Sequence, residues 1–214
     1  DQPLQTAPPL TVAPTATAAP GIATPGGGGQ GVAGASQPVG ALADVQGQIE
    51  AIYAAAAPAV VHITSRAFAT DWLNQAMPQE GTGSGFLFDD QGHIATNYHV
   101  VADADEITVA MADGSVYPAV VVGEDPSTDL AVIRVQAVNL PRPLPLADSD
   151  RLRVGQVVLA IGNPFGLDLS MTMGIISSLG RVIETPNARF VGEAIQTDAP
   201  INPGNSGGPL LDIE

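Results

Sequence analysis

Residues Gly204-Asn205-Ser206-Gly207-Gly208 set a hydroxyl among small neighbours. A hydroxyl that attacks a carbonyl must approach it closely, and bulky side chains on either side would prevent this. The tetrahedral species that forms carries an oxyanion, which needs backbone N–H donors already in place. Glycines permit the tight turn that aims two such groups at one point. Here they would be the N–H groups of Gly204 and Ser206, with Asn205 between them. An ordinary glycine-rich turn that carries a serine has the same composition. The five residues also match G-x-S-x-G, the nucleophile elbow of α/β-hydrolases.

Chain order separates these readings. A serine nucleophile needs a base to take its proton, and the base needs an acid to hold its tautomer. In the α/β-hydrolases the catalytic histidine follows the serine. Here His62, His93 and His99 all precede Ser206, and only eight residues follow it. His99 ends the run Ala95-Thr96-Asn97-Tyr98-His99, and Asp129 directly precedes the run Leu130-Ala131-Val132-Ile133. Both positions are strand-to-loop junctions, where a rigid scaffold can present a side chain. The order His99, Asp129, Ser206 is that of chymotrypsin. Subtilisin's order needs the acid ahead of the histidine, and Asp89 and Asp90 fall in a turn instead. His62, inside an alternating strand, reads as a partly buried or edge side chain. His93, after Gly92, reads as surface-exposed.

The surrounding pattern supplies such a scaffold. Residues 2–43 carry no charged side chain and are rich in Pro, Ala, Thr and Gly. That composition cannot offset its ordering entropy, so residues 1–43 are expected to be a disordered linker. At Asp44 the texture changes, and Val45, Ile49, Ile52, Tyr53 and Ala56 predict one apolar helix face ended by Pro58. Strands are predicted over 59–66, 83–88, 93–96, 105–111, 116–123 and 130–136, with a longer loop over 67–82 that holds Trp72. Turn chemistry at Asp89-Asp90-Gln91-Gly92 and Ala112-Asp113-Gly114 separates them. A Pro-rich crossover over 137–154 leads to strands over 155–161, 171–179, 190–197 and 209–213. Two sets of short strands imply a mostly β protein of two antiparallel barrels. One domain is expected over 44–214, divided into a helix and first barrel (44–136), the crossover, and a partial second barrel (155–214).

Composition narrows the function classes. Seven basic residues stand against 22 acidic ones, for a net charge of −15. Such a surface repels phosphate backbones and anionic lipid, so no nucleic-acid partner is expected. The absence of cysteine excludes disulfides, thiolate metal sites and a cysteine nucleophile.

Several separated runs together resemble the HtrA/Deg family of trypsin-like serine proteases. They are Gly83-Ser84-Gly85-Phe86-Leu87-Phe88 with Gly92-His93-Ile94-Ala95-Thr96-Asn97-Tyr98-His99-Val100-Val101, then Thr128-Asp129-Leu130-Ala131-Val132, then Gly162-Asn163-Pro164-Phe165-Gly166, then Gly174-Ile175-Ile176-Ser177-Ser178-Leu179-Gly180-Arg181. The longest runs from Ile195-Gln196-Thr197-Asp198-Ala199-Pro200 through Ile201-Asn202-Pro203-Gly204-Asn205-Ser206-Gly207-Gly208-Pro209-Leu210. Ala95 departs from the larger apolar residue usual there, which touches packing only. The resemblance implies a chymotrypsin-type fold with the second barrel truncated at Glu214. It implies His99 as general base, Asp129 as its orienting acid and Ser206 as nucleophile. The oxyanion hole would lie at Gly204, Asn205 and Ser206, and Ile201 and Asn202 would contact substrate. No cofactor or metal is implied. Family members cleave unfolded or misfolded polypeptides outside the cytoplasm, often as trimers and often with a C-terminal PDZ domain. The linker composition fits a tether to an upstream membrane anchor and, equally, a flexible terminus with no role.

Two other readings compete with an endopeptidase. One is a catalytically silent trypsin-like fold used for binding, against which all three triad types are present. The other is a metal module built on Asp103, Asp105, Glu106, Asp113, Glu124 and Asp125, which lack an EF-hand loop and read as a solvated face. Hydrolysis that persists undiminished in EDTA is the outcome expected of a serine enzyme; its loss on chelation would favour the metal reading.

Overall fold

A computed structural model describes residues 39–70, 76–164, 166, 169–184 and 190–213. Trp72 and residues 1–38 of the expected linker lie outside these residues, while residues 39–43, expected to be disordered, are helical. Helix α1 spans Val39–Ala56 and runs into a short 3₁₀ turn, Ala57–Ala59. It begins five residues before the change of texture at Asp44, where the apolar periodicity starts. Val39-Gly40-Ala41-Leu42-Ala43 carries no helix-breaking proline, so Asp44 lies inside the helix rather than at its cap.

Six strands follow: β1 (Val60–Thr70), β2 (Ala76–Leu87), β3 (His93–Asn97), β4 (Glu106–Ala110), β5 (Val116–Asp125) and β6 (Leu130–Val135). One helical turn, α2 (Tyr98–Val101), sits between β3 and β4. The strands close into a barrel in the order β1-β2-β3-β6-β5-β4. Period-2 burial drives the closure. On β3 Ile94 and Thr96 point inward, on β4 Ile107 and Val109, and on β6 Ala131, Ile133 and Val135. With Val61, Ile63 and Leu87, the inward residues other than Thr96 fill the interior with aliphatic side chains, so few aromatic residues are needed.

The 67–82 segment is not a loop along most of its length. Residues Arg66 to Thr70 pair with Glu80 to Ala76 in one long antiparallel hairpin. Its glycines and polar residues have low strand propensity, and the cross-strand ladder overrides it.

The second sheet contains β7 (Val157–Gly162), β8 (Ser170–Glu184), β9 (Phe190–Thr197) and β10 (Leu210–Asp212), in the order β10-β7-β8-β9. Strand β7 is central and the most buried, with Val158 to Gly162 all inside. The long β8 pairs with β7 over its first half and with β9 over its second, with register shifts that curl the sheet. The segment between the sheets is tied to the barrel where Leu144 N–H donates to Leu87 O at 2.9 Å. Among the described residues, no helix is long and apolar enough to cross a membrane.

Two registers decide what meets what. Strands β3 and β6 pair with Asn97 opposite Leu130. The chain leaving β3 and the chain entering β6 therefore emerge side by side. Strand β10 pairs with β7 with Leu210 opposite Ala160. Continuing that ladder brings the residues just before β10 alongside the exit of β7 at Gly162 and Asn163.

The turn entering β6 is built on Asp125. Its carboxylate accepts from Ser127 N at 2.9 Å, from the Ser127 hydroxyl and from Thr128 Oγ1 at 2.8 Å. The Ser127 hydroxyl, followed by that of Thr128, holds the Asp125 carboxyl below its usual value. A depressed carboxyl adds stability above its unfolded pKa of about 3.9 and loses it as pH falls through the folded value. Asp125→Asn should therefore be less stable than the parent near pH 6, and the gap in urea midpoint should close below about pH 3.9. A gap that stays constant with pH would show that the carboxylate charge does not hold this turn.

Candidate active site

Asp129 is 6% exposed and takes a left-handed backbone, with φ of 55°. That region is costly for most residues and tolerated best by Asn and Asp. Four hydrogen bonds hold it there. The Asp129 carbonyl accepts from Tyr98 N at 3.0 Å and from Asn97 Nδ2 at 2.9 Å. The Asp129 carboxylate accepts from His99 N at 2.9 Å through Oδ1 and contacts His99 Nδ1 at 2.8 Å through Oδ2. The β3–β6 register delivers both ends, and the α2 turn then aims the imidazole back at the carboxylate. A carboxylate can only accept, so His99 Nδ1 carries its proton toward Asp129 and Nε2 is left as the basic nitrogen.

Ser206 lies in the segment between β9 and β10, and the barrel grips that segment at several points. Ser84 N, on β2, donates to Ser206 O at 2.8 Å. Ser84 Oγ donates to Gly204 O at 2.6 Å. Gly207, at φ +85°, lies so close that a Cβ there would meet Ser84 O and Thr96 Oγ1. The Ser206 segment thus sits on the strand end from which His99 emerges. Among the described residues, no hydrogen bond joins His99 to Ser206. Such bonds are often long in a free enzyme and shorten on substrate binding.

Within the segment the peptide planes are set by neighbours. Asn205 N donates to Asn202 O at 3.0 Å, and Gly208 N donates to Asn205 O at 2.9 Å. The Asn205–Ser206 carbonyl is therefore turned one way and the Ser206 N–H the other. The N–H groups of Gly204 and Ser206 donate to no acceptor among the described residues. Gly204 has φ of +96°, and a Cβ there would meet Pro164. Asn205 is 7% exposed, and its Oδ1 accepts from Ser170 Oγ at 3.2 Å. Ile201 and Asn202, earlier in the same segment, are exposed.

The remaining histidines are engaged elsewhere. His62 is half-buried, and its Nδ1–H donates to Asn163 O at 2.7 Å while Thr64 Oγ1 lies 3.2 Å from Nε2. It supports the exit of β7. His93 is less exposed than its turn position suggested, because Asp89 takes its Nδ1 at 2.6 Å and its ring stacks on Phe88. That hydrogen bond is the main reason the Asp89 carboxyl lies below its usual value. No group of three or more acidic or histidine side chains among the described residues is placed to hold a metal.

Reasoning from residue types did not single out Ser84, Thr96, Asn97 or Asn163 as part of this site. The available signal was Gly83-Ser84-Gly85, a hydroxyl between two residues that leave room for a neighbouring chain. A Cβ on Gly83 would meet Val100 and approach Ser206 O.

Comparison with known proteins gives the family. Residues 83–214 match the family model described as trypsin-like peptidase domain. Protease Do-like 1, chloroplastic, of Arabidopsis thaliana is 51% identical over 159 residues, which is 72% of this chain and 36% of that protein. A probable periplasmic serine endoprotease, DegP-like, of Pseudomonas putida is 52% identical over 135 residues, 63% of this chain and 28% of that protein. This chain thus spans about a third of the length of these curated relatives. Among solved structures, Deg5 superposes with a TM-score of 0.66 at 39% identity, covering 79% of this chain and 81% of that one. The HtrA-type protease AlgW with a tripeptide superposes with a TM-score of 0.63 at 44% identity, covering 75% and 49%. With the family model matched over more than half of its length, the chain belongs to the trypsin-like peptidases, within the HtrA/Deg group of serine proteases.

Proposed function

We propose that this chain carries the acylating machinery of a serine endopeptidase that cleaves unfolded or misfolded polypeptides outside the cytoplasm. The observation that carries the reading is the bidentate hold of Asp129 on His99, through the ring Nδ1 at 2.8 Å and the backbone N at 2.9 Å. An imidazole fixed in this tautomer presents an unprotonated Nε2 suited to a general base.

In this reading His99 Nε2 takes the proton of Ser206 Oγ as that oxygen attacks the scissile carbonyl carbon. The C=O electron pair moves onto the carbonyl oxygen, where the N–H groups of Gly204 and Ser206 receive it. Asp129 stabilises the imidazolium without taking its proton. The imidazolium then gives the proton to the departing amine, and an acyl-enzyme remains on Ser206. Water repeats the sequence with His99 again as base, which releases the acid and restores Ser206. No cofactor or metal enters any step.

Ile201 and Asn202, exposed beside the nucleophile segment, would contact substrate, and Ile201 favours aliphatic side chains. A polypeptide substrate is supported by the peptide bound to the HtrA-type neighbour, and an extracytoplasmic site by the periplasmic DegP-like relative. A homotrimer, a downstream PDZ domain and an upstream membrane tether belong to the same proposal. A surface of net charge −15 disfavours nucleic acid as a partner.

Full-length protein should cleave an unfolded casein-type substrate, and Ser206→Ala should abolish cleavage. Asp129→Asn, which presents the wrong tautomer to His99, should lower kcat by roughly 10⁴-fold. Undiminished turnover by Ser206→Ala would end the assignment.

A further inference from the structure

Ser84 is 0% exposed and uses every hydrogen-bonding group it has. Its hydroxyl donates to Gly204 O at 2.6 Å and accepts from Asn163 N at 2.8 Å. Its N–H donates to Ser206 O at 2.8 Å, and its carbonyl accepts from Thr96 Oγ1 at 2.7 Å. One small residue of the barrel thus reaches both residues whose N–H groups would receive the oxyanion. It also reaches the exit of β7 and the strand that ends at His99.

We propose that Ser84 is a positioning residue that sets the geometry of the oxyanion hole; this rests on the endopeptidase reading. A peptide plane is rigid, so fixing one of its atoms restricts the others. The Gly204–Asn205 plane is held at both ends, with its oxygen on Ser84 Oγ and its N–H on Asn202 O. The Ser206–Gly207 plane is held through Ser206 O on Ser84 N. Between them lies the Asn205–Ser206 plane, which carries one oxyanion donor, while the Gly204 N–H lies directly ahead of the first held plane. Without the Ser84 hydroxyl, Gly204 O and the buried Asn163 N lose their partner. The segment can then turn Gly204 away, because a glycine at φ +96° has little backbone preference of its own. The hydroxyl touches no substrate and moves no proton in the reaction.

This role separates from general stability by which constants change. The oxyanion forms only after attack, so a misplaced hole should lower kcat and leave KM nearly unchanged. In full-length protein, Ser84→Ala and the near-isosteric Ser84→Cys, a weak donor, should each lower kcat by about 10- to 100-fold, the scale of a misplaced catalytic geometry. KM should stay within about threefold. Inhibition by a peptidyl boronate, which mimics the tetrahedral species on Ser206, should weaken by the same factor as kcat/KM. Binding of a non-covalent product peptide should not change. The Cys variant carries the test if the Ala variant aggregates. A folded variant that keeps kcat within about twofold would overturn the proposal, as would a loss confined to KM, or lost kcat with boronate affinity intact. Failure of both variants to fold would assign Ser84 a purely structural role and overturn it too. An inactive parent, or activity that survives Ser206→Ala, would instead sink the endopeptidase reading beneath it.

Discussion

The candidate site is divided between two sheets, and its geometry depends on how one is fastened to the other. His99 and Asp129 belong to the closed barrel. Ser206 belongs to the segment that leads into the edge strand of the open sheet. The fastening is short and polar. Ser84 N to Ser206 O, Ser84 Oγ to Gly204 O and Asn163 N to Ser84 Oγ span the join within one residue of β2. Water is excluded there, so each bond is stronger than at a surface and each broken one more costly. Gly207 makes the approach possible, since any larger residue would strike Ser84 O.

Each half of the site is rigid for its own reason. On the barrel side the β3–β6 register sets His99 and Asp129 at adjacent chain exits, and the aliphatic interior holds that register. Slipping it by one residue would turn every inward side chain outward. On the sheet side the segment has little secondary structure and depends on hydrogen bonds. Two buried polar atoms here, Asn205 Nδ2 in the segment and Asn163 Oδ1 at the exit of β7, find no partner among the described residues. Imperfect satisfaction of this kind is uncommon in native interiors and concentrates where function constrains the chain.

Much of this could be read before the fold was seen. Strand positions followed from alternation, because Ile94, Val109 and Ile133 face a core and their neighbours do not. The order His99, Asp129, Ser206 singled out three residues without any geometry. Other features were not legible. Helix α1 begins at Val39, ahead of the apolar periodicity that marks it, because an aspartate such as Asp44 can sit within a helix as well as cap one. Residues 76–82 become strand only because β1 pairs with them. Ser84 acts on Gly204 across 120 residues through a hydroxyl and a main-chain oxygen, a pairing with no periodicity and no charge to mark it.

The central claim is that His99, oriented by Asp129, activates Ser206. Labelling full-length protein with a fluorophosphonate tests it directly, since the reagent bonds to an activated serine oxygen as fluoride departs. Mass spectrometry should locate the label on Ser206, and His99→Ala should slow its formation by at least about 10³-fold. A label on another residue, or equal labelling of Ser206 in the His99→Ala protein, would contradict it.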